Sequence, residues 1–491
     1  MTTRELPARE EGAAAAAYPD AGDTERLHGG RLRFFRTIAE SVGVQGPTGG
    51  AVIVAAVLAG VSGGGTALVE VVAAVAMGFV AYAFVIFTRG FNSAGSVYGF
   101  TGAVAGPRFG FLSAWTLLLV YISFAGGVYA GTADEAQPAF GTLGLHLAWQ
   151  GYAVITFVLV IALAYLDVKI SVTVILALEG ASMLLVITAC SIILAKGGFH
   201  GHAFSPAPFR PNGVTLSVLG LGIVFSFAAF SGFEAASTLG EESQQPRRLI
   251  PLAIAVSLAV VAIFQIGVAA VVTNAYPGIK QLSTASVPLV TVTDKFVAGW
   301  MGTLVNFGAV VSSFGSALAC VVGASRILFA LGRDAGPVML RRTSRTTGAP
   351  VGALTWVAAG SLLTLLLVIK EPLATRAAAV SLTYGADLII VAYILVVAAA
   401  VIFTIRRHIS PVKTTILLIG LAVLGYVVKA TFAPFPAPPY SWDALAAGIT
   451  LAAGIVLPLA YPPLRRGIRE SPLLKAGANA LLGAPGSATD Q

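Results

Sequence analysis

Long apolar stretches, separated by short polar or charged segments, run through most of the 491-residue chain. A helix needs about 20 predominantly apolar residues to cross the hydrocarbon core of a bilayer. Twelve stretches meet this requirement, at approximately 38–61, 66–88, 108–131, 148–166, 170–195, 214–239, 249–274, 300–325, 351–369, 376–403, 413–431 and 442–461. The pattern predicts an all-α polytopic membrane protein with twelve transmembrane helices, numbered here as spans 1 to 12.

The Lys and Arg residues fall mostly on one side of these spans. If the N-terminus is placed inside, 23 of the 30 basic residues lie in cytoplasmic segments and 7 in outward ones. Cytoplasmic loops of membrane proteins carry such an excess of basic residues. We therefore expect a multi-pass protein of the plasma membrane with both termini in the cytoplasm. The same distribution accounts for the net charge of +8 without a nucleic-acid partner.

Composition narrows the class of protein further. Hydrophobic residues make up 57% of the chain and charged residues 11%, against about 25% charged in soluble domains. So few charges cannot coat the surface of soluble domains of this total length, which excludes an ordinary soluble enzyme. The sequence also lacks a nucleophile elbow, a Walker motif and a metal-ligand pattern, so we expect no catalytic residue, no metal and no cofactor. Cys190 and Cys320 lie in apolar stretches and are expected to be packing residues.

The two ends of the chain differ from the spans in composition. Residues 1–35 and 466–491 are rich in Ala, Gly, Glu and Ser, and we expect both to be disordered cytoplasmic tails. Between them we expect a transport core at 36–405, which holds spans 1 to 10, and spans 11 and 12 at 406–465.

Two spans contain residues that weaken a helix. Span 1 contains Gln45–Gly50 (Gln-Gly-Pro-Thr-Gly-Gly), and span 6 contains Ser231-Gly232 just before Glu234. A broken helix in lipid is tolerated where its freed backbone groups face protein or a water-filled cavity. Paired breaks in spans 1 and 6 predict an inverted repeat of five plus five helices, and a proline kink is the alternative for span 1. Half-helix N-termini suit a carboxylate and exposed carbonyls suit an ammonium, so the breaks together suit a zwitterion.

Four stretches resemble the amino acid–polyamine–organocation superfamily. The most specific is Phe230–Pro251, which looks like the span 6 signature of that superfamily. The others are Gly46–Gly49 at the break of span 1, Ser93–Tyr98 in the loop entering span 3, and Ser325–Pro337 in the loop after span 8. They lie in register across roughly residues 36–405.

The resemblance implies a LeuT-type fold, with spans 11 and 12 as peripheral helices, and secondary active transport of an amino acid by alternating access. It places the substrate carboxylate on backbone amides of span 1 and the amino group on carbonyls of span 6. The implied substrate-binding residues are Gly46, Thr48, Gly49, Gly50, Ala228, Phe230, Ser231 and Gly232, with Phe227 or Phe230 as an aromatic gate. Span 1 has Gly-Pro-Thr-Gly-Gly where many members have a Gly-Ser-Gly type of break, so its hydrogen bonds need not be the same.

Ionisable residues inside the spans are functional candidates, because a charge at the bilayer centre costs about 3 kcal/mol or more. Glu179 in span 5 either carries a coupling proton, helps to hold a cation, or is a neutral acid bound to a neighbouring helix. Ser312 and Ser313 in span 8 are either cation ligands, by resemblance to sodium-coupled transporters of this fold, or packing residues. Glu234 and Asp387 are each open to a proton-carrying or a bracing role. We predict proton coupling, with sodium as the alternative.

The predicted function is the import of an amino acid. A polyamine or organocation transporter and an amino acid exchanger are the related alternatives. A channel would need a continuous polar stripe rather than two isolated breaks, and a sensor would need a partner domain that neither tail contains.

Overall fold

The computed structural model describes residues 17–18, 25–166, 168–201, 205–211 and 216–483. Its helices are α1 (Phe34–Gln45), α2 (Pro47–Ser62), α3 (Thr66–Gly90), α4 (Val97–Ala105), α5 (Pro107–Gly141), α6 (Trp149–Ala164), α7 (Val168–Lys196), α8 (Leu216–Phe230), α9 (Pro246–Ala275), α10 (Ile279–Ser283), α11 (Pro288–Phe296), α12 (Gly299–Ala335), α13 (Val351–Val368), α14 (Ala374–Arg406), α15 (Pro411–Phe432), α16 (Tyr440–Ala460), α17 (Pro462–Glu470) and α18 (Pro472–Leu482). Short 3-10 helices lie at Gly198–His200, Ala207–Phe209, Phe233–Leu239 and Val338–Arg341.

The predicted all-α membrane fold is confirmed. Within the described residues, 11 segments are long and apolar enough to cross a membrane, and α6 is a shorter apolar helix where span 4 was predicted. Helices α1 and α2 together form span 1, and α8 with Phe233–Leu239 forms span 6. The other spans, in order from span 2 and with α6 as span 4, are α3, α5, α6, α7, α9, α12, α13, α14, α15 and α16.

Both predicted helix breaks are present. Span 1 breaks at Gly46, which has φ 50° and stands between the end of α1 and Pro47, the first residue of α2. Span 6 breaks at Gly232, which has φ 108° and follows the end of α8. Both values lie in the left-handed region that glycine adopts readily, so the chain can turn there without a steric penalty.

The two breaks are in close contact with each other. A Cβ atom built on Gly232 would lie 2.4 Å from Cγ1 of Val44 and 3.1 Å from the backbone nitrogen of Gln45. On the same face of span 1, the Ser41 hydroxyl donates to the Phe233 carbonyl at 2.6 Å and accepts from the Ala236 amide at 2.9 Å. Span 1 and span 6 are therefore joined by polar contacts as well as by close backbone packing.

The pairing of helices follows the order expected of an inverted repeat. Span 2 packs against span 7 and span 3 packs against span 8, as span 1 packs against span 6. In each of these pairs the partners are five spans apart, which is the relation that a five-plus-five repeat predicts for elements near its two-fold axis.

Replacing Gly232 with alanine is expected to lower the melting temperature of the detergent-solubilised protein markedly. A non-glycine residue with this φ costs about 1–3 kcal/mol, and the Cβ placed against Val44 adds an overpacking cost of about 1–3 kcal/mol. Gly78→Ala is the matched control, since a Cβ on Gly78 meets no atom within 4 Å. Equal melting temperatures for the two variants would mean that the breaks do not touch.

Spans 3 and 8 are longer than predicted. Helix α5 continues to Gly141 and α12 to Ala335, so the stretch Ser325–Ala335 is helical and its prediction as a loop was wrong. The apolar pattern stops at charged residues such as Glu135 and Arg326, but Glu and Arg are good helix formers. Charged residues ended the predicted spans without ending the helices.

The predicted disorder of the tails was wrong for the parts that the structure describes. Residues 466–483 lie largely in α17 and α18, and Leu473, Leu474 and Leu481 are buried, with α18 packed on α4. Leu32, before α1, is fully buried and forms a parallel bridge with Ser243. The Ala- and Gly-rich average composition concealed individual apolar residues in each tail that pack against the helices. Residues 1–16, 19–24 and 484–491 lie outside the described residues.

Candidate substrate and coupling site

The start of α2 is linked to a buried acid by hydrogen bonds. The Gly49 amide donates to the Ser312 hydroxyl at 3.3 Å, and this hydroxyl lies 3.0 Å from each carboxylate oxygen of Glu179. Glu179 is 2% exposed. The structure therefore brings together three predicted site residues from spans 1, 5 and 8.

A second carboxylate lies next to the same amide. A Cβ atom on Gly49 would lie 2.5 Å from Oγ of Ser313 and 3.3 Å from Oε1 of Glu135. Oε2 of Glu135 is buried and has no hydrogen-bond partner within the described residues. Two carboxylates and two serine hydroxyls thus surround the first turn of α2.

The backbone amides at the break of span 1 differ in whether they are free to bind a substrate carboxylate. The Gly46 amide donates to the carbonyls of Val42 and Gly43, and the Gly50 amide donates to the Gly46 carbonyl at 3.2 Å. Thr48 and Gly49 lie in the first turn of α2, where backbone amides lack a partner within the helix. A carboxylate role for Gly46 or Gly50 stays a prediction, and it would require these hydrogen bonds to be exchanged.

The break of span 6 satisfies several of its own polar groups. The Ser231 amide donates to the Phe227 carbonyl at 3.1 Å, and the Ser231 hydroxyl donates to the Ala228 carbonyl at 2.7 Å. The Phe227 ring packs edge-on against Tyr393 at 5.8 Å, and Phe230 is fully buried. The amino-group site at these carbonyls and the aromatic gate stay predictions.

Glu234 is held in a bracing arrangement. Its carboxylate accepts hydrogen bonds from the hydroxyl of Tyr121 at 2.8 Å, the hydroxyl of Tyr393 at 2.7 Å and the amide of Gly232 at 3.1 Å. These donors come from spans 3, 10 and 6, so one buried acid fixes the broken helix to two neighbouring helices. Of the two roles open to Glu234, this geometry favours the brace.

Asp387 does not join the cluster around Gly49. It lies on α14 and interacts electrostatically with Asp443 of α16, next to the hydrogen bond between Tyr384 and Thr450 at 2.8 Å. It therefore belongs to the contact between span 10 and the peripheral span 12.

Two residues of the site were missed by the sequence interpretation. Glu135 follows the predicted end of span 3, and Gln265 of span 7 donates to the Pro47 carbonyl at 3.1 Å while fully buried. A search for every polar residue inside a predicted span, or within about one turn of its end, would have found both, as it would have found the buried acids Glu40 and Glu70.

Ion pairs close the bundle on the side of the N-terminal segment. Arg326 contacts Glu242 at 3.0 Å and Arg333 contacts Glu241 at 2.5 Å, and all four side chains are at most 5% exposed. Residues 37–48 are buried, whereas Gly49 and Gly50 are partly exposed. The site is thus sealed from the side that carries these ion pairs.

Comparison with known proteins agrees with this architecture. The profile of a family described as amino acid permease matches residues 32–455 of the chain. The chain belongs to the amino acid permease family. This family falls within the amino acid–polyamine–organocation superfamily, which confirms the resemblance seen in the sequence.

The named relatives of the permease differ in their cargo. It is 30% identical over 294 residues, 56% of its own length, to the branched-chain amino acid permease BcaP of Bacillus subtilis, of which the match covers 61%. It is 27% identical over 319 residues, 62% of its length, to cationic amino acid transporter 3, mitochondrial, of Arabidopsis thaliana, with 52% covered. A methylthioribose transporter of Bacillus subtilis is 28% identical over 295 residues, 56% of the permease and 61% of that protein. The permease thus spans about half to three fifths of these relatives, all of which are named as permeases or transporters.

Proposed function

We propose that the permease is a secondary transporter that imports an amino acid across the plasma membrane by alternating access, coupled to a proton carried at Glu179. The hydrogen-bond chain from the Gly49 amide through Ser312 to Glu179 is the observation that carries this proposal. The excess of basic residues in the predicted inner segments supports an orientation with both termini in the cytoplasm.

The chain of hydrogen bonds supplies a physical link between substrate and proton. A substrate carboxylate at the start of α2 takes the Gly49 amide from Ser312 and adds a negative charge beside Glu179 and Glu135. Like charges at short range in a site of low dielectric repel by several kcal/mol. A proton on Glu179 removes part of that repulsion, so substrate and proton each raise the affinity for the other.

Release requires the closed side to open. The pairs Arg326–Glu242 and Arg333–Glu241 join α12 to the segment after span 6, and both must separate before the site faces the N-terminal side. Loss of the proton from Glu179 to the cytoplasm then restores the repulsion and expels the substrate.

The coupling ion is tested by uptake into proteoliposomes. We expect accumulation of the amino acid when the outside is acidic and sodium is absent on both sides. A sodium gradient at equal pH should give no accumulation. The reverse pattern would contradict proton coupling, while leaving amino acid transport itself in place.

A second candidate cargo is a basic amino acid or a polyamine. The unpartnered Oε2 of Glu135 favours it, because a buried carboxylate beside the site can bind a positively charged group. The family includes a relative named as a cationic amino acid transporter. The names of the relatives therefore include branched-chain amino acids, cationic amino acids and methylthioribose as cargo.

A thermal-shift screen against the twenty amino acids and common polyamines separates these cargoes. A ligand at a hundredfold excess over its Kd stabilises the folded state by about 2.7 kcal/mol. We expect one class to raise the melting temperature of the wild type and of Gly78→Ala. In Gly49→Ala the shift should vanish, since the new Cβ would lie 2.5 Å from the Ser313 hydroxyl. A shift retained in Gly49→Ala would place the site elsewhere.

A further inference from the structure

A cleft of about 340 Å³ lies away from the substrate site, where the loop between α4 and α5 meets the end of α14 and the C-terminal helices α17 and α18. This volume is within the range of small-ligand sites, about 300–1,000 Å³. The side chains of Arg406, Arg469, Ser471 and Lys475 line it together with the start of α5 at Pro107.

Every charged side chain that lines the cleft is basic. Arg406, Arg469 and Lys475 come from three different helices, and all three are exposed. Among the described residues, Arg469 and Lys475 have no carboxylate partner, and Arg406 makes a hydrogen bond to the Val104 carbonyl at 2.6 Å. Glu470 lines a neighbouring groove and not this cleft. Three cations gathered without a counter-charge repel one another, and an anion would remove that repulsion.

The backbone adds to the positive potential. Helix α5 has 35 residues and begins at Pro107 in the wall of the cleft. Its N-terminus carries roughly half a positive charge. The three basic side chains and the N-terminus of α5 therefore both favour an anionic ligand.

The position of the cleft indicates where the anion comes from. Arg406 ends span 10, and Ile405 beside it is 59% exposed, as expected of a side chain in contact with acyl chains. The cleft thus lies at the boundary between the apolar surface and the side proposed above as cytoplasmic. Anionic lipid headgroups at this boundary attract basic segments with about 1 kcal/mol per Lys or Arg.

We propose that this cleft binds the phosphate group of an anionic phospholipid, held by Arg406, Arg469 and Lys475. The lipid joins span 10 to α17 and α18. These two helices also pack on α4, the end of span 8 and span 12, and the Leu482 carbonyl of α18 accepts a hydrogen bond from Arg407 at 3.0 Å. Ser471, between the two C-terminal helices, donates to Asp334, which also accepts from Tyr98 at 2.6 Å. Arg333, the residue before Asp334, forms one of the closing ion pairs. The bound lipid therefore stabilises the closed side of the permease.

The test measures the melting temperature of the full-length protein in detergent with added phosphatidylglycerol, phosphatidylcholine or inorganic phosphate. We expect phosphatidylglycerol alone to raise it, by about 2–4 °C at saturation. In the double variant Arg469→Gln/Lys475→Gln this rise should be lost, because both side chains line the cleft.

The matched control is the double variant Arg465→Gln/Arg466→Gln. It also removes two positive charges, both from α17 and outside the cleft. This variant should keep the full rise in melting temperature with phosphatidylglycerol. Native mass spectrometry of the same samples should show bound phosphatidylglycerol in the wild type and control and its loss in the cleft variant. Equal shifts with phosphatidylcholine, a rise with inorganic phosphate alone, or equal loss in both double variants would overturn the proposal.

Discussion

Glu179→Gln is expected to abolish proton-driven accumulation of the amino acid while leaving exchange across the membrane intact. The glutamine side chain fits the same space and can still accept a hydrogen bond from Ser312, but it carries no titratable proton. The substrate then moves without a coupled ion, so that it equilibrates and does not accumulate. Uptake driven by a pH gradient should fall to background, about 100-fold, while counterflow of labelled against unlabelled amino acid persists.

Glu70→Gln is the matched control for this variant. Glu70 of span 2 is also a fully buried acid and accepts one hydrogen bond, from Ser226 at 3.2 Å, but it lies outside the cluster around Gly49. It should retain accumulation. If Glu179→Gln also accumulates substrate under a pH gradient, the proton is carried elsewhere, and Glu135 becomes the next acid to replace.

Arg326→Met is expected to destabilise the protein by about 3–5 kcal/mol, since it leaves a buried carboxylate without its counter-charge. Arg326 is 1% exposed and its guanidinium donates to Glu242 at 3.0 and 3.3 Å. Methionine fills much of the same volume, which separates the loss of charge from the loss of packing. The measurement is the melting temperature in detergent. Adding Glu242→Gln to Arg326→Met should recover part of the loss.

Glu40 lies beside the Arg326–Glu242 ion pair, but we expect its replacement to have a much smaller effect on stability. It is fully buried near Arg326, Glu242, Cys320 and Tyr121, and neither of its carboxylate oxygens has a hydrogen-bond partner in the described structure. Arg326 and Glu242 already neutralise each other, so an ionised Glu40 would be an uncompensated charge, and we expect the neutral acid. Glu40→Gln should accordingly change stability by less than about 1 kcal/mol. A loss as large as that of Arg326→Met would show that Glu40 is the charged partner of the arginine.

The breaks in spans 1 and 6 were predictable because their causes are local. Gly46 and Gly232 need left-handed backbone, and Pro47 cannot continue a helix from the preceding turn. The link between Glu179 and Ser312 was anticipated only as two separate candidates. Which helix faces which acid depends on packing between distant segments, and single-chain periodicity does not contain that information.

The missed features have a common physical origin. Hydropathy identifies residues that prefer lipid, so it ended spans 3 and 8 where charges begin, and Glu135 fell outside the predicted helix. Leu473 and Leu481 are buried in a tail whose average composition suggested disorder. In both cases contacts with distant parts of the chain stabilise the segment. A hydropathy average over a sequence window does not include such contacts.

The buried acids also have a consequence for how the chain is made. Glu242 follows span 6, but Arg326, its buried counter-charge, is synthesised 84 residues later in α12. Glu179 likewise precedes its hydrogen-bond donor Ser312, and Glu234 precedes Tyr393. The first half of the protein is therefore inserted with acids whose partners do not yet exist. The buried hydrogen bonds of these acids can therefore form only after the second half is inserted, which makes them a late step of biosynthesis.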